Sequence, residues 1–221
     1  MSTPARKINN TGTKKNIGKF VSNKNQALIP YESHLERDYL YFLEIDSQVI
    51  SYTGQPFKLN YYLDGKLRRY TPDFFVERTN KKQVVEVKPE SKARLLKYLT
   101  LFNKVAPIIT EFGWEFCVVT DKMIRIQPCL DNIKILYKYS RVQYSLQDLV
   151  RCKNYLQNFS SVTIQEATQV LHKDGISKQI LFSLIFSGFL EIELILPISY
   201  TSEIKISDKM RRYLIEAGVE F

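Results

Sequence analysis

The chain has 221 residues, 44% of them apolar, with 14 Tyr and 13 Phe, which excludes a disordered protein and leaves room for one large or two smaller folded domains. No apolar run approaches the roughly 18 residues of a membrane span, and the Lys-rich start lacks the apolar stretch of a secretory signal. Three cysteines without a C-x-x-C pair argue against a thiol nucleophile or a zinc site, so a protein of the cytoplasm is expected.

The net charge of +9 is unevenly placed. Residues 1–31 carry Arg6, Lys7, Lys14, Lys15, Lys19 and Lys24 with no acid, whereas residues 32–132 sum to +1 and residues 133–221 to +2. The first 31 residues therefore read as a basic arm without sustained periodicity before Ala27, much of it flexible when no ligand is bound. Lys14, Lys15 and Lys19 are candidates for neutralising DNA phosphates, and a solubilising tail is the alternative.

Ser33 to about Asp46 follows as a helix capped by Ser33, with Leu35, Tyr39, Phe42 and Leu43 on one face. Strand patterns then cover 48–53, 56–63, 67–77 and 83–88, and Asp64-Gly65 marks a hairpin. A helix is predicted over about 90–105 with an apolar stripe of Leu95, Leu96, Leu99 and Phe102, and Pro107 starts a second piece. Trp114–Thr120 and Met123–Gln127 read as two further strands. The expected fold is an α/β layer, a mixed sheet flanked by helices, over residues 32–132.

Beyond Pro128 the pattern turns mostly helical: about 130–139, 146–158, 163–172 and 177–187, then strand-like 189–196 and 202–206. Two short helices around Asp174-Gly175 followed by two strands suggest a helix-turn-helix with a β-wing, against the alternative of a small helical domain that reads no DNA. Residues 133–221 are accordingly expected to form a smaller winged-helix-like domain.

The chemistry concentrates in Tyr70-Thr-Pro-Asp73-Phe-Phe-Val76 and Gln83-Val-Val-Glu86-Val-Lys88-Pro89. Reflecting the two strands about the midpoint between Thr79 and Asn80 sets position 73 opposite position 86. Alternation then puts Asp73, Glu86 and Lys88 on one face, for chemistry, and Phe74, Val76, Val85 and Val87 on the other, for the core. Two opposed carboxylates repel, and a hard divalent cation with oxygen ligands would offset that repulsion and suit phosphodiester cleavage. Lys88 can position the attacking water or offset developing charge, and the Val87 carbonyl is a further candidate ligand. Ser33-x-x-Glu36 is a capping box, and spacing alone favours that role for Glu36 over a metal-binding one. Lys66, Arg68 and Arg69, just past the Asp64-Gly65 turn, are candidates for gripping backbone phosphates, with solvated hairpin charges as the alternative.

Pro72-Asp73 followed by Glu86-x-Lys88, with an acid on the first helix, resembles the PD-(D/E)xK nuclease superfamily, whose core is the restriction-endonuclease-like mixed sheet. "NIGKF", "SHLERD", "YTPDF" and "VEVKP" more narrowly resemble the TnsA endonuclease subunits of heteromeric DNA transposases. The resemblance implies an Mg²⁺-dependent endonuclease, Mn²⁺ substituting, that nicks the 5′ ends of a transposon in double-stranded DNA. A DDE-class transposase, TnsB, would process the 3′ ends under an AAA+ regulator, TnsC. It implies Glu36, Asp73 and Glu86 as metal-binding carboxylates, Lys88 as the catalytic lysine, and a C-terminal winged-helix-like domain that meets partners. A free-standing restriction or repair nuclease and a non-catalytic docking adaptor are the competing functions.

Overall fold

The computed structural model describes residues 17–220. These residues divide into two compact units, one ending at Ile126 and one beginning at Gln127. The division precedes the expected 132/133 boundary because the helix Cys129–Tyr137 buries Leu130, Ile133 and Leu136 and belongs whole to the second unit.

The first unit runs β1 (Gly18–Ser22), β2 (Ala27–Tyr31), α1 (His34–Ile45), β3 (Val49–Gly54), β4 (Leu59–Leu63), β5 (Lys66–Tyr70), β6 (Phe74–Arg78), β7 (Lys82–Lys88), α2 (Glu90–Ala93), α3 (Leu96–Glu111), β8 (Glu115–Thr120) and α4 (Asp121–Ile124). Its main sheet has the order β3-β6-β7-β8. The first two pairings are antiparallel, and β7 pairs with β8 in parallel. A parallel neighbour requires a crossover, which α2 and α3 supply.

Helices cover both faces of this sheet. On one, α1 lays Tyr39 against Phe74 with ring centroids 5.7 Å apart, over the buried Val76, Val85 and Val87. On the other, Val105 and Ile109 of α3 pack with Val84, Leu59 and Tyr70. The expected division into a core face and a chemical face is thus corrected: both faces are core, and the chemistry occupies one end of the second.

Several elements depart from expectation. The strand predicted over 67–77 breaks at Thr71-Pro72-Asp73, where Pro72 has no N–H for a ladder, so β4 and β5 form a separate two-stranded ribbon. Leu95, Leu96 and Leu99 are exposed, and the buried stripe of α3 is Phe102, Val105 and Ile109. Pro107 lies inside α3 without ending it, on the solvent side where water can meet the freed carbonyl. The strand expected at Met123–Gln127 is replaced by the short α4.

The described part of the basic arm is ordered as the β1–β2 hairpin. Ser22 Oγ donates to Glu44 at 2.6 Å, and Lys24 Nζ donates to the Val49 carbonyl at 2.7 Å, so Lys24 secures the hairpin to the domain.

The second unit contains α5 (Cys129–Tyr137), α6 (Leu146–Leu156), β9 (Val162–Thr163), α7 (Ile164–Leu171), α8 (Lys178–Phe186), β10 (Leu190–Ile192), β11 (Glu203–Ile206) and α9 (Asp208–Glu216). Ser145 and Thr163 head α6 and α7 with capping boxes to Asp148 and Glu166. Gly175, at φ +82°, turns the chain between α7 and α8. The three strands pair antiparallel in the order β10-β11-β9. The helix α9, absent from the sequence reading, buries Met210 and Leu214. No helix among the described residues is long and apolar enough to cross a membrane.

Candidate active site

The register of β6 on β7 pairs Phe74 with Val85, Phe75 with Val84 and Val76 with Gln83, the reflection expected from the sequence. Asp73 stands one residue before β6, on the step that would oppose Glu86. The Gln55 N–H donates to its carbonyl at 2.8 Å, and the Val87 N–H donates to its Oδ2 at 2.7 Å. Val87, expected to offer its carbonyl, therefore meets Asp73 through its amide.

Glu86 is buried in β7. Its Oε2 accepts from the Tyr70 hydroxyl at 2.8 Å, and its Oε1 is ion-paired with Lys88. The Lys88 ammonium lies 4.9 Å from the centre of the Tyr98 ring, a cation–π contact that holds it over the site. Tyr70 and Tyr98 are the members of this cluster that sequence reasoning missed. Tyr70 adjoins the Pro72-Asp73 motif, but the break at Pro72 removes the strand parity that would have aimed it.

Ser33 caps α1 by accepting the Glu36 N–H at its Oγ at 3.1 Å, and the Glu36 carboxylate accepts from Ser33 Oγ at Oε1 and from the Glu32 N–H at Oε2, both at 2.8 Å, so the return bond of the expected capping box goes to Glu32 and not to the Ser33 amide. Glu36 is nonetheless within electrostatic reach of the other acids. Burial holds the Asp73 carboxyl well above the ordinary carboxylate range, and the charges of Glu86 and Glu36 raise it further; Lys88 and the Val87 amide only partly offset this. Burial raises Glu36 too, with Glu32 and Glu86 adding to it. Burial alone would lower Lys88, but Glu86 and Asp73 leave it above its ordinary value, so it stays an ammonium.

Among the described residues, no three His, Cys, Asp or Glu side chains converge as a ready-made metal-binding set. Each acid is turned toward a protein donor: Glu36 to its cap, Asp73 to the Val87 amide, Glu86 to Tyr70 and Lys88.

The expected phosphate-contacting residues fall in different places. Lys14 and Lys15 lie outside the described residues. Lys19 is exposed on β1, and Lys66, Arg68 and Arg69 are exposed on β5. Burial pushes the Cys117 thiol up to about 11 and the Cys152 thiol to about 12, which keeps both protonated at neutral pH.

A mixed sheet between helices, with the buried Glu86, the half-buried Asp73 and a lysine at one end of a strand hairpin, is compatible with a nuclease-type α/β domain. Residues 46–121 match the family model described as the TnsA-like endonuclease N terminal. The matched stretch is an endonuclease-type domain containing Asp73, Glu86 and Lys88; it starts after Glu36, and it spans about a third of the chain. No curated protein matches the chain.

Proposed function

We propose that the chain is a metal-dependent DNA endonuclease that nicks the 5′ ends of a transposon, working in the cytoplasm with a DDE-class transposase of the TnsB type and an AAA+ regulator of the TnsC type. The single observation that carries its chemistry is the β6–β7 register, which sets Asp73 beside Glu86 with Lys88 two residues further along the same strand. The TnsA-like match over residues 46–121 supports the transposition setting.

The donor set suits Mg²⁺ or Mn²⁺: all its side chains are hard carboxylate oxygens, and burial, with the neighbouring charges of Glu86 and Glu36 adding to it, raises Asp73 in the way a divalent cation would relieve. Asp73 and Glu86 would hold the ion, with Glu36 joining on release of its cap and the Val87 carbonyl available. When bound, such a cation supplies positive charge at the scissile phosphate and lowers the pKa of its water. The Val87 amide fixes the orientation of Asp73, and the Tyr70 hydroxyl fixes Glu86. The Lys88 ammonium, freed from Glu86, is positioned to orient the attacking water and to offset charge at the phosphate.

For the C-terminal unit the reading is a winged-helix-like domain, α7 and α8 making the helix pair and β10 and β11 the wing. Its task is partner docking. Leu181 to Phe186 of α8 are all buried, with Phe186 against Tyr137 and Phe182 against Tyr139, which leaves Lys178 and Gln179 of its first turn as its polar residues, and Lys178 lies over the Phe182 and Tyr200 rings.

The test is strand-specific cleavage of transposon-end DNA by the chain with its partner transposase. Asp73→Ala should abolish 5′ nicking and leave partner binding intact. Undiminished nicking by that variant overturns the assignment, and vigorous cutting of plain DNA by the chain alone overturns the dependence on partners.

A further inference from the structure

The β4–β5 ribbon leaves the main sheet beside the acidic cluster. Its turn, Asp64-Gly65, has φ of +52° and +69°, the backbone that a two-residue hairpin needs and that keeps the two strands in tight register. Lys66, Arg68 and Arg69 are exposed along β5, and none of them forms a salt bridge among the described residues.

Pairing sorts these cations by face. Leu59 pairs with Tyr70 and Tyr61 with Arg68, while Asn60 pairs with Arg69. Leu59, Tyr70 and Tyr61 all pack into the cluster beneath α3, so alternation puts Arg68, and two residues on Lys66, on the face that leads from this core. Arg69 belongs to the opposite face with Leu67 and Tyr62. Tyr70 ends the first row at the Glu86 carboxylate, and steps of about 6.7 Å per two residues carry the row outward from the active site.

We infer that Arg68 and Lys66 hold the phosphate backbone of the duplex being cut, and that Arg69 does not. The physical need is clear: Glu36, Asp73 and Glu86 present an acidic floor with Lys88 as the cation among them, and a phosphodiester approaching it is repelled unless other cations flank the approach. The inference deepens the nuclease assignment and rests on it.

The test uses the full chain and a fluorescein-labelled DNA duplex, with Ca²⁺ replacing Mg²⁺ to leave the duplex uncut, and fluorescence anisotropy over a salt series. Each lost phosphate contact flattens the dependence of log affinity on log salt by about 0.9. Arg68→Ala and Lys66→Ala should each flatten it by that amount, and Arg69→Ala should leave it unchanged. Equal flattening by all three overturns the inference, because undirected charge would then suffice; no flattening at Arg68 or Lys66 overturns it as well. Because binding in Ca²⁺ requires no cleavage, these outcomes stay separable from the Asp73→Ala test of the nuclease itself.

Discussion

The Tyr70 hydroxyl donates to Glu86 Oε2 at 2.8 Å, and the two residues are only 6% and 4% exposed. This bond ties the ribbon to the acidic end of the sheet. Tyr70→Phe keeps the ring packed beside Phe116 and leaves one buried carboxylate oxygen without a donor, a loss of about 1–3 kcal/mol. Cleavage should then need about 10–100-fold more Mg²⁺, as when other outer partners of metal ligands are removed. Denaturant unfolding and an Mg²⁺ titration of nicking check the two effects; a stability loss with unaltered Mg²⁺ dependence would confine Tyr70 to packing.

Asp73→Asn should stabilise the metal-free protein at neutral pH. A carboxyl whose folded pKa lies above its unfolded value destabilises the fold wherever it is ionised, and this cost fades as pH falls through the raised folded pKa toward the unfolded one. The variant's gain in Tm should therefore be largest at neutral pH and vanish on acidification. Added Mg²⁺ should raise the Tm of the unaltered chain and leave the variant nearly unmoved, measured by thermal unfolding with and without the ion.

Capping and ligation by Glu36 separate in two variants. Ser33→Ala removes the cap of α1 and should cost about 1 kcal/mol with nicking preserved. Glu36→Gln keeps an oxygen for the Glu32 amide but loses the charge, and should cut the nicking rate at least tenfold with little change in stability. Full activity of Glu36→Gln would leave Glu36 a cap alone.

Leu184→Ala in α8 should destabilise the C-terminal unit by about 2–5 kcal/mol, the range for a fully buried leucine, read in denaturant unfolding. A change of a few tenths would mean that α8 faces solvent and is free to enter a groove.

What the sequence determined by itself was local. The Asp73–Glu86 register follows from the reflection of two strands about their turn, the hairpin at Asp64-Gly65 from residues that accept positive φ, and α1 from the Ser33 cap; none needs a distant partner. Only the tertiary structure decided the rest. Pro72 ends the ladder and swings β5 out of the sheet, so parity counted through 67–77 could not aim Tyr70 at Glu86. The stripe of α3 shifted from Leu95, Leu96 and Leu99 to Val105 and Ile109 because the face that is buried depends on where the crossover lands on β7 and β8. Glu36 is both a cap and a neighbour of Asp73 in charge, two properties that spacing along one chain cannot weigh, since the second arises from burial that only the assembled fold creates.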